Sequence, residues 1–126
     1  MKTAHDLVME AKQHIVEISL EESQQHLLSK PLLIDVREPQ EFEAGHVPGA
    51  RNIPRGMLEF VMSQDESLTD RQRPIVLYCK TSGRAALSAE SLQKLGFAHI
   101  RSIAGGFDAW LAAGLPTEKP KPLSFD

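Results

Sequence analysis

A polar hexapeptide, Cys-Lys-Thr-Ser-Gly-Arg at 79–84, carries the residue types best suited to chemistry. Cys79 is the only cysteine of the 126-residue chain, and the thiolate of a cysteine is a strong nucleophile. The apolar, β-branched run 75–78 precedes it and predicts a buried strand. Residues 85–92 follow, are rich in helix formers, and predict a helix packed on a sheet. The candidate nucleophile therefore stands between the end of a strand and the start of a helix.

This position favours an anion beside Cys79. A short polar loop between a strand and a helix directs several backbone N–H groups to one point, and the helix adds the positive end of its dipole. Lys80 and Arg84 add two formal positive charges, and together these features favour the thiolate. A lone cysteine is more often a small buried hydrophobe, but open α/β sheets bind ligands at the carboxyl ends of their strands. We therefore interpret Cys79 as a nucleophile.

The composition predicts one globular domain with ordinary surface properties. The length suits one domain, and a formal net charge of −3 without a basic run argues against nucleic acid or an anionic membrane surface as a partner. One cysteine excludes an internal disulfide framework and a thiolate zinc cluster. His5, His14, His26 and His99 form no metal-ligand pattern, so no metal and no cofactor are expected.

The sequence also predicts where the protein resides. Charged residues occupy the positions at which the apolar core of a signal peptide would begin. No apolar stretch approaches the roughly 20 residues that a membrane span needs. We therefore expect a cytoplasmic protein, in which a thiol can stay reduced.

Strands and helices alternate along the chain. Capping patterns at Thr3 with Asp6, and at Ser19 with Glu22, start the first two helices. The predicted strands cover 15–18, 32–36, 51–53, 75–78 and 99–103. Two predicted helices cover 3–16 and 19–28, and two more begin at Pro39 and Pro54. A fifth helix covers 85 to Gly96, and a sixth follows 104–106. Alternation of this kind predicts a parallel sheet covered on both faces. Apolar spacing assigns inward positions to Met57, Leu58, Val61, Met62, Phe107, Trp110 and Leu111.

Three stretches of the chain resemble one known family. Residues 35–42, followed by 45–54, resemble the N-terminal signature of rhodanese domains. Residues 78–86 resemble their active-site loop, and 105–110 with 114–116 resemble their C-terminal signature. The stretches occur in the order and spacing of that family. On this resemblance we divide the chain into an N-terminal helical extension (1–17), a rhodanese domain (18–116) and a flexible C-terminal tail (117–126).

The resemblance implies a fold and a reaction. The fold is an α/β, rhodanese-like three-layer domain, with a central parallel sheet of about five strands and helices on both faces. The reaction is sulfur transfer by a ping-pong route, in which Cys79 attacks thiosulfate or a similar sulfane donor and holds the sulfur as a persulfide. Cyanide in an assay, or a cellular thiol or thioredoxin-like protein, then accepts the sulfur.

The loop residues have individual expected roles around this chemistry. Backbone N–H groups of the loop can stabilise charge moving between sulfur atoms, and Gly83 permits close approach of the backbone. We favour Arg84 as a ligand of a sulfonate oxygen over a structural ion pair. Lys80 either steers a dianionic donor or is a solvated surface charge. The substrate-binding set is Lys80, Thr81, Ser82, Gly83 and Arg84, with Thr81 and Ser82 donating hydroxyl hydrogen bonds or only shaping the turn.

Several alternatives accompany this reading. The protein can instead be a persulfide carrier or interaction module that a protein partner loads. A phosphatase or arsenate reductase is a third possibility, but related phosphatases carry a loop one residue longer than Cys79 to Arg84. The basic residues of the loop favour thiosulfate over mercaptopyruvate. In the resembled family, residues such as Asp35 and Arg37 mostly tie loops together by ion pairs and hydrogen bonds, so both are assigned to structure. His46 is assigned to a structural hydrogen bond.

Overall fold

The computed structural model describes residues 1–120 and contains, within that range, five β-strands and six α-helices. In chain order they are α1 (Ala4–Lys12), β1 (Val16–Ile18), α2 (Leu20–Leu27), β2 (Leu32–Asp35), α3 (Pro39–Ala44), β3 (Arg51–Asn52), α4 (Leu58–Gln64), β4 (Ile75–Tyr78), α5 (Gly83–Lys94), β5 (Ile100–Ile103) and α6 (Gly106–Ala112). Short 3-10 helices at Arg55–Met57 and Glu66–Leu68 flank α4.

The strands form a single parallel sheet in the order β1-β5-β4-β2-β3. The predicted α/β fold with a five-stranded parallel sheet is therefore confirmed, as is the assignment of the first strand to an edge. β4 occupies the centre, between β5 and β2, and Asp35 lies opposite Tyr78 in the register. Cys79, the residue after β4, consequently lies at the carboxyl edge of the sheet, where α/β proteins with parallel sheets bind their ligands.

Two apolar clusters cover the two faces of the sheet. Alternate residues of a strand point to opposite faces, so Ile75 and Leu77 join one cluster while Val76 and Tyr78 join the other. The first cluster contains Leu58 and Met62 of α4 and Ala85, Ala89 and Leu92 of α5. The second contains Phe107 and Trp110 of α6, with Leu20 and Leu27 of α2 packed against it. Cys79 belongs to the first cluster and therefore faces α5.

The predicted starts of the first two helices are confirmed. Thr3 and Asp6 form a reciprocal capping box at α1, and Ser19 and Glu22 form one at α2. α1 ends at Lys12, earlier than predicted, because Val16 already belongs to β1 and pairs with β5. An extended strand residue cannot also continue a helix, so pairing at the sheet edge sets the end of the helical segment.

Two predicted inward positions are wrong. The Met57 side chain is 52% exposed and Leu111 is 50% exposed. Met57 ends a 3-10 helix before α4 starts, and the tighter winding changes which residues share a face. In the seven-residue helix α6, Phe107 and Trp110 take the buried face, and Leu111 falls beside it.

The predicted C-terminal tail is described only over its first residues. Glu118 forms an isolated antiparallel bridge with His46, in which each backbone N–H donates to the other's carbonyl at 2.9 Å. Residues 121–126 lie outside the described residues, so the flexibility of the tail stays a prediction. Over residues 1–120, no helix is long and apolar enough to cross a bilayer.

Candidate active site

The hexapeptide forms the connection that its sequence predicts. β4 ends at Tyr78, and α5 begins at Gly83, so Cys79 to Ser82 make the whole turn. Cys79 carries a free thiol and is 1% exposed. Burial at this position sets the sulfur at the floor of the loop, whose outer residues Lys80 and Thr81 are exposed.

The N-terminus of α6 fixes the carbonyl groups of the loop. The backbone N–H of Phe107 donates to the carbonyl oxygen of Cys79 at 2.8 Å, and that of Asp108 donates to the carbonyl of Lys80 at 3.0 Å. Gly106 has a φ of +56°, and a Cβ there would lie 2.5 Å from the Cys79 oxygen and closer still to that of Thr81. Only glycine combines this conformation with such close approach. The sequence analysis did not assign Gly106 to the site.

The same arrangement leaves the N–H groups of the loop available. Within residues 1–120, the backbone N–H groups of residues 80–84 have no acceptor. Those at the start of α5 lack an intrahelical acceptor by position, and the helix dipole makes this end positive. Loop carbonyls bound on one side and N–H groups open on the other make a cradle suited to an anion.

Arg84 is engaged by a carboxylate that the sequence analysis did not single out. Its two terminal nitrogens donate to Glu41 of α3 at 2.6 and 3.0 Å. Hydrogen bonds from Arg84 lower the pKa of Glu41 to about 2, and the bonds to Glu41 raise the pKa of Arg84. This is the ion pair that the sequence analysis ranked second for Arg84. A direct contact of Arg84 with substrate stays a prediction.

The side chains of Lys80 and Ser82 also have partners. Lys80 donates to Asp108 of α6 at 2.8 Å, although its side chain is 60% exposed. Ser82 Oγ accepts a hydrogen bond at 2.8 Å from Lys12 of α1. Neither Asp108 nor Lys12 was predicted to approach the site, because each lies far from its partner in the sequence.

Asp35 and Arg37 form a buried ion pair with each other, in keeping with the structural role assigned to both residues. Arg37 donates to both carboxylate oxygens at 2.7 to 3.1 Å, and the two residues are 4% exposed or less. Burial acts to lower the pKa of Arg37, but the hydrogen bonds and charge of Asp35 raise it overall. The guanidinium also donates to the Gly45 carbonyl at 2.7 Å and lies 4.3 Å from the centre of the Phe107 ring. It therefore joins the segment after β2 to α6.

His46 likewise makes a structural contact. Its Nδ1 lies 3.1 Å from the carbonyl oxygen of Phe42, and the two rings stack with centroids 3.7 Å apart. Its Nε2 lies 3.4 Å from a carboxylate oxygen of Glu118. These partners tie the turn after α3 to the described end of the chain, consistent with the predicted structural role.

Comparison with known proteins fits this geometry. The sequence matches the rhodanese-like domain family over residues 19–113. The chain belongs to the rhodanese-like domain family. An uncharacterized protein of Bacillus subtilis is 42% identical over 99 residues, which cover 79% of this chain and 75% of that protein.

Two solved structures share the rhodanese fold over most of both chains. A protein of unknown function from Rhodopseudomonas palustris, described as a possible tyrosine phosphatase, has a TM-score of 0.83 at 29% identity, covering 94% of this chain and 96% of that one. The polysulfide-sulfur transferase homodimer of Wolinella succinogenes has a TM-score of 0.75 at 34% identity, covering 91% and 86%.

The rhodanese match begins at residue 19 and leaves α1 outside it. α1 nevertheless supplies Lys12 to the loop. Across the described part of the chain, no group of three or more His, Cys, Asp or Glu side chains could hold a metal ion. The chemistry of the site therefore has to be argued from Cys79, the backbone cradle and the surrounding charges.

Proposed function

We propose that the protein is a sulfurtransferase that takes a sulfane sulfur from thiosulfate onto Cys79. The observation that carries the proposal is the position of Cys79 at the floor of a cradle of unpartnered N–H groups, in a chain of the rhodanese family. The similarity to a polysulfide-sulfur transferase supports the same class of reaction.

The proposed reaction has two displacements at sulfur. The Cys79 thiolate attacks the outer sulfur of thiosulfate, a new S–S bond forms, and sulfite leaves with the electron pair of the old bond. An acceptor then attacks the outer sulfur of the persulfide and releases the Cys79 thiolate. Cyanide accepts the sulfur in an assay and becomes thiocyanate, whereas a thiol or a thioredoxin-like protein in a reducing cytoplasm is the proposed cellular acceptor.

The substrate-binding residues act mainly through the backbone. Residues 80–84 offer N–H groups to the charge that develops on the departing sulfite and on the persulfide, and such preorganised donors stabilise a transition state. The attack by Cys79 needs no general base because the nucleophile reacts as the thiolate. Thr81 is exposed and can add a hydroxyl hydrogen bond at the rim.

Intact mass spectrometry tests the proposal on the full chain. Incubation with thiosulfate should add one sulfur, roughly 32 mass units, which a thiol reductant removes. Cys79→Ser should show no gain, and its thermal unfolding should resemble that of the wild type if only the nucleophile has been lost. A gain in the variant would remove Cys79 from the mechanism.

The same experiment separates the alternatives. A gain only with a persulfidated protein donor would favour a carrier loaded by a partner over a thiosulfate enzyme. The phosphatase description of the Rhodopseudomonas palustris neighbour makes aryl phosphate hydrolysis a necessary second assay. Rapid hydrolysis without any sulfur gain would overturn the sulfurtransferase proposal.

A further inference from the structure

The loop's own cations are largely neutralised by neighbouring carboxylates. Lys80 binds Asp108 at 2.8 Å, and Arg84 binds Glu41 through two hydrogen bonds. A pair of opposite charges in contact produces a weak field at other positions. The preference for a dianionic donor, which the sequence analysis attributed to Lys80 and Arg84, therefore needs another source of positive charge.

Lys12 supplies a cation that is held against the loop by a neutral group. Its Nζ donates to Ser82 Oγ at 2.8 Å, and this contact is partly buried. Glu17 forms an ion pair with this ammonium at 3.7 Å, a longer and weaker contact than the 2.8 Å and 2.6 Å ion pairs of Lys80 and Arg84. Because the ammonium donates to Oγ, the hydroxyl hydrogen of Ser82 stays available to an acceptor.

α1 holds Lys12 in this position by packing along α5. Val8 Cγ2 lies 3.5 Å from where a Cβ on Gly83 would be, and the Gln93 side chain donates to the His14 carbonyl at 2.8 Å. The first contact lies at the start of α5 and the second near its end, and Ala11 of α1 is fully buried. The ammonium is therefore fixed at the end of α5 that starts at the loop.

We propose that Lys12 is a specificity-determining residue of the Cys79 site, selecting anionic and above all dianionic sulfur donors. The inference rests on the proposed function, since it names the substrate charge that the same site prefers. The ammonium acts through its field and through the orientation of the Ser82 hydroxyl, both of which lower the free energy of an anion in the cradle. The N-terminal helix, outside the family match, would then contribute to catalytic selectivity.

Alkylation of Cys79 tests this charge effect independently of sulfur transfer. The chain has one cysteine, so rates with iodoacetate and with neutral iodoacetamide report on the same sulfur. We define the alkylation ratio as the rate with iodoacetate divided by the rate with iodoacetamide. Lys12→Met should lower this ratio about three- to tenfold, because one partly screened unit charge beside the loop is lost. Added salt should bring wild type and variant closer together.

Three further variants control the experiment. Lys94→Met removes a cation from the other end of α5. The Lys94 side chain is 77% exposed and lies 3.9 Å from Glu90, so its loss should leave the ratio unchanged. Lys12→Arg keeps the charge and should retain most of the ratio. Glu17→Gln removes the nearest counter-charge of Lys12 and should raise the ratio, which keeps the test available if Lys12→Met fails to fold.

Persulfide formation supplies the second readout. Lys12→Met should slow the reaction with dianionic thiosulfate more than that with a monoanionic aryl thiosulfonate, mainly through KM. An unchanged alkylation ratio in Lys12→Met, or no alkylation of the wild type by either reagent, overturns the role of Lys12. If Lys12→Met lowers the alkylation ratio as expected but the wild type forms no persulfide with either donor, the proposed function is overturned. Cys79 would then be an anion-selective thiol without sulfurtransferase activity.

Discussion

Replacing Gly106 with alanine should separate α6 from the loop and impair the site. The Cβ would lie 2.5 Å from the carbonyl oxygen of Cys79 and 2.8 Å from that of Lys80, and both are backbone atoms that cannot rotate away. Relief of this overlap requires α6 to move, which breaks the hydrogen bonds from the N–H groups of Phe107 and Asp108.

The magnitude follows from two contributions to the free energy of unfolding. An alanine at a φ of +56° costs about 1 to 2 kcal/mol. Loss of two backbone hydrogen bonds costs about 0.5 to 1.5 kcal/mol each. Gly106→Ala should therefore lower the free energy of unfolding by about 2 to 5 kcal/mol. The loosened loop should also react about ten- to a hundredfold more slowly with thiosulfate.

Gly114→Ala is the matched control. Gly114 has a φ of +70°, but nothing lies within 4 Å of the position that its Cβ would take. It should lose only the conformational contribution, about 1 to 2 kcal/mol, and keep the rate of persulfide formation. Urea unfolding and intact-mass kinetics measure both quantities. If Gly106→Ala matches Gly114→Ala in stability and reacts at the wild-type rate, α6 does not hold the loop in its reactive shape.

Two further predictions concern the ion pairs around the site. Because Arg84 lowers the pKa of Glu41 to about 2, from an ordinary 4.5, the carboxylate stabilises the fold fully above pH 4.5, and this contribution is lost as the pH falls towards 2. Glu41→Gln should thus lower the free energy of unfolding by about 1 to 2 kcal/mol at neutral pH, after solvent screening, and by little near pH 2. Urea unfolding at the two pH values measures this difference, and an equal loss of stability at both would contradict the prediction. Asp35→Asn leaves the buried Arg37 guanidinium without its counter-charge and should cost about 3 to 5 kcal/mol; a loss below 1 kcal/mol on the same measurement would refute that reading.

Local patterns in the sequence predicted most elements because their causes are local. The capping boxes at Thr3 and Ser19 each involve residues three apart, and both form. The β-branched run before Cys79 forms a fully buried strand. Gly96, with a φ of +94°, follows the end of α5, where a left-handed residue closes a helix.

Errors arose where a change of helix type or a short helix set the exposure of a residue. Met57 falls outside the buried face because a 3-10 turn precedes α4. Leu111 is exposed because α6 has only two turns, and Phe107 and Trp110 are the residues of this helix that pack into the core cluster. Periodicity alone does not determine the phase of such short segments.

The sequence by itself determined that a single cysteine stands between a buried strand and a helix, within three motifs that resemble rhodanese domains. Only the tertiary structure decided how that loop is charged. Glu41 lies 43 residues from Arg84, Asp108 lies 28 from Lys80, and Lys12 lies 70 from Ser82. Contacts over such separations depend on strand order and helix packing, which no local pattern encodes. They pair the loop's own cations and bring to it a third cation from α1.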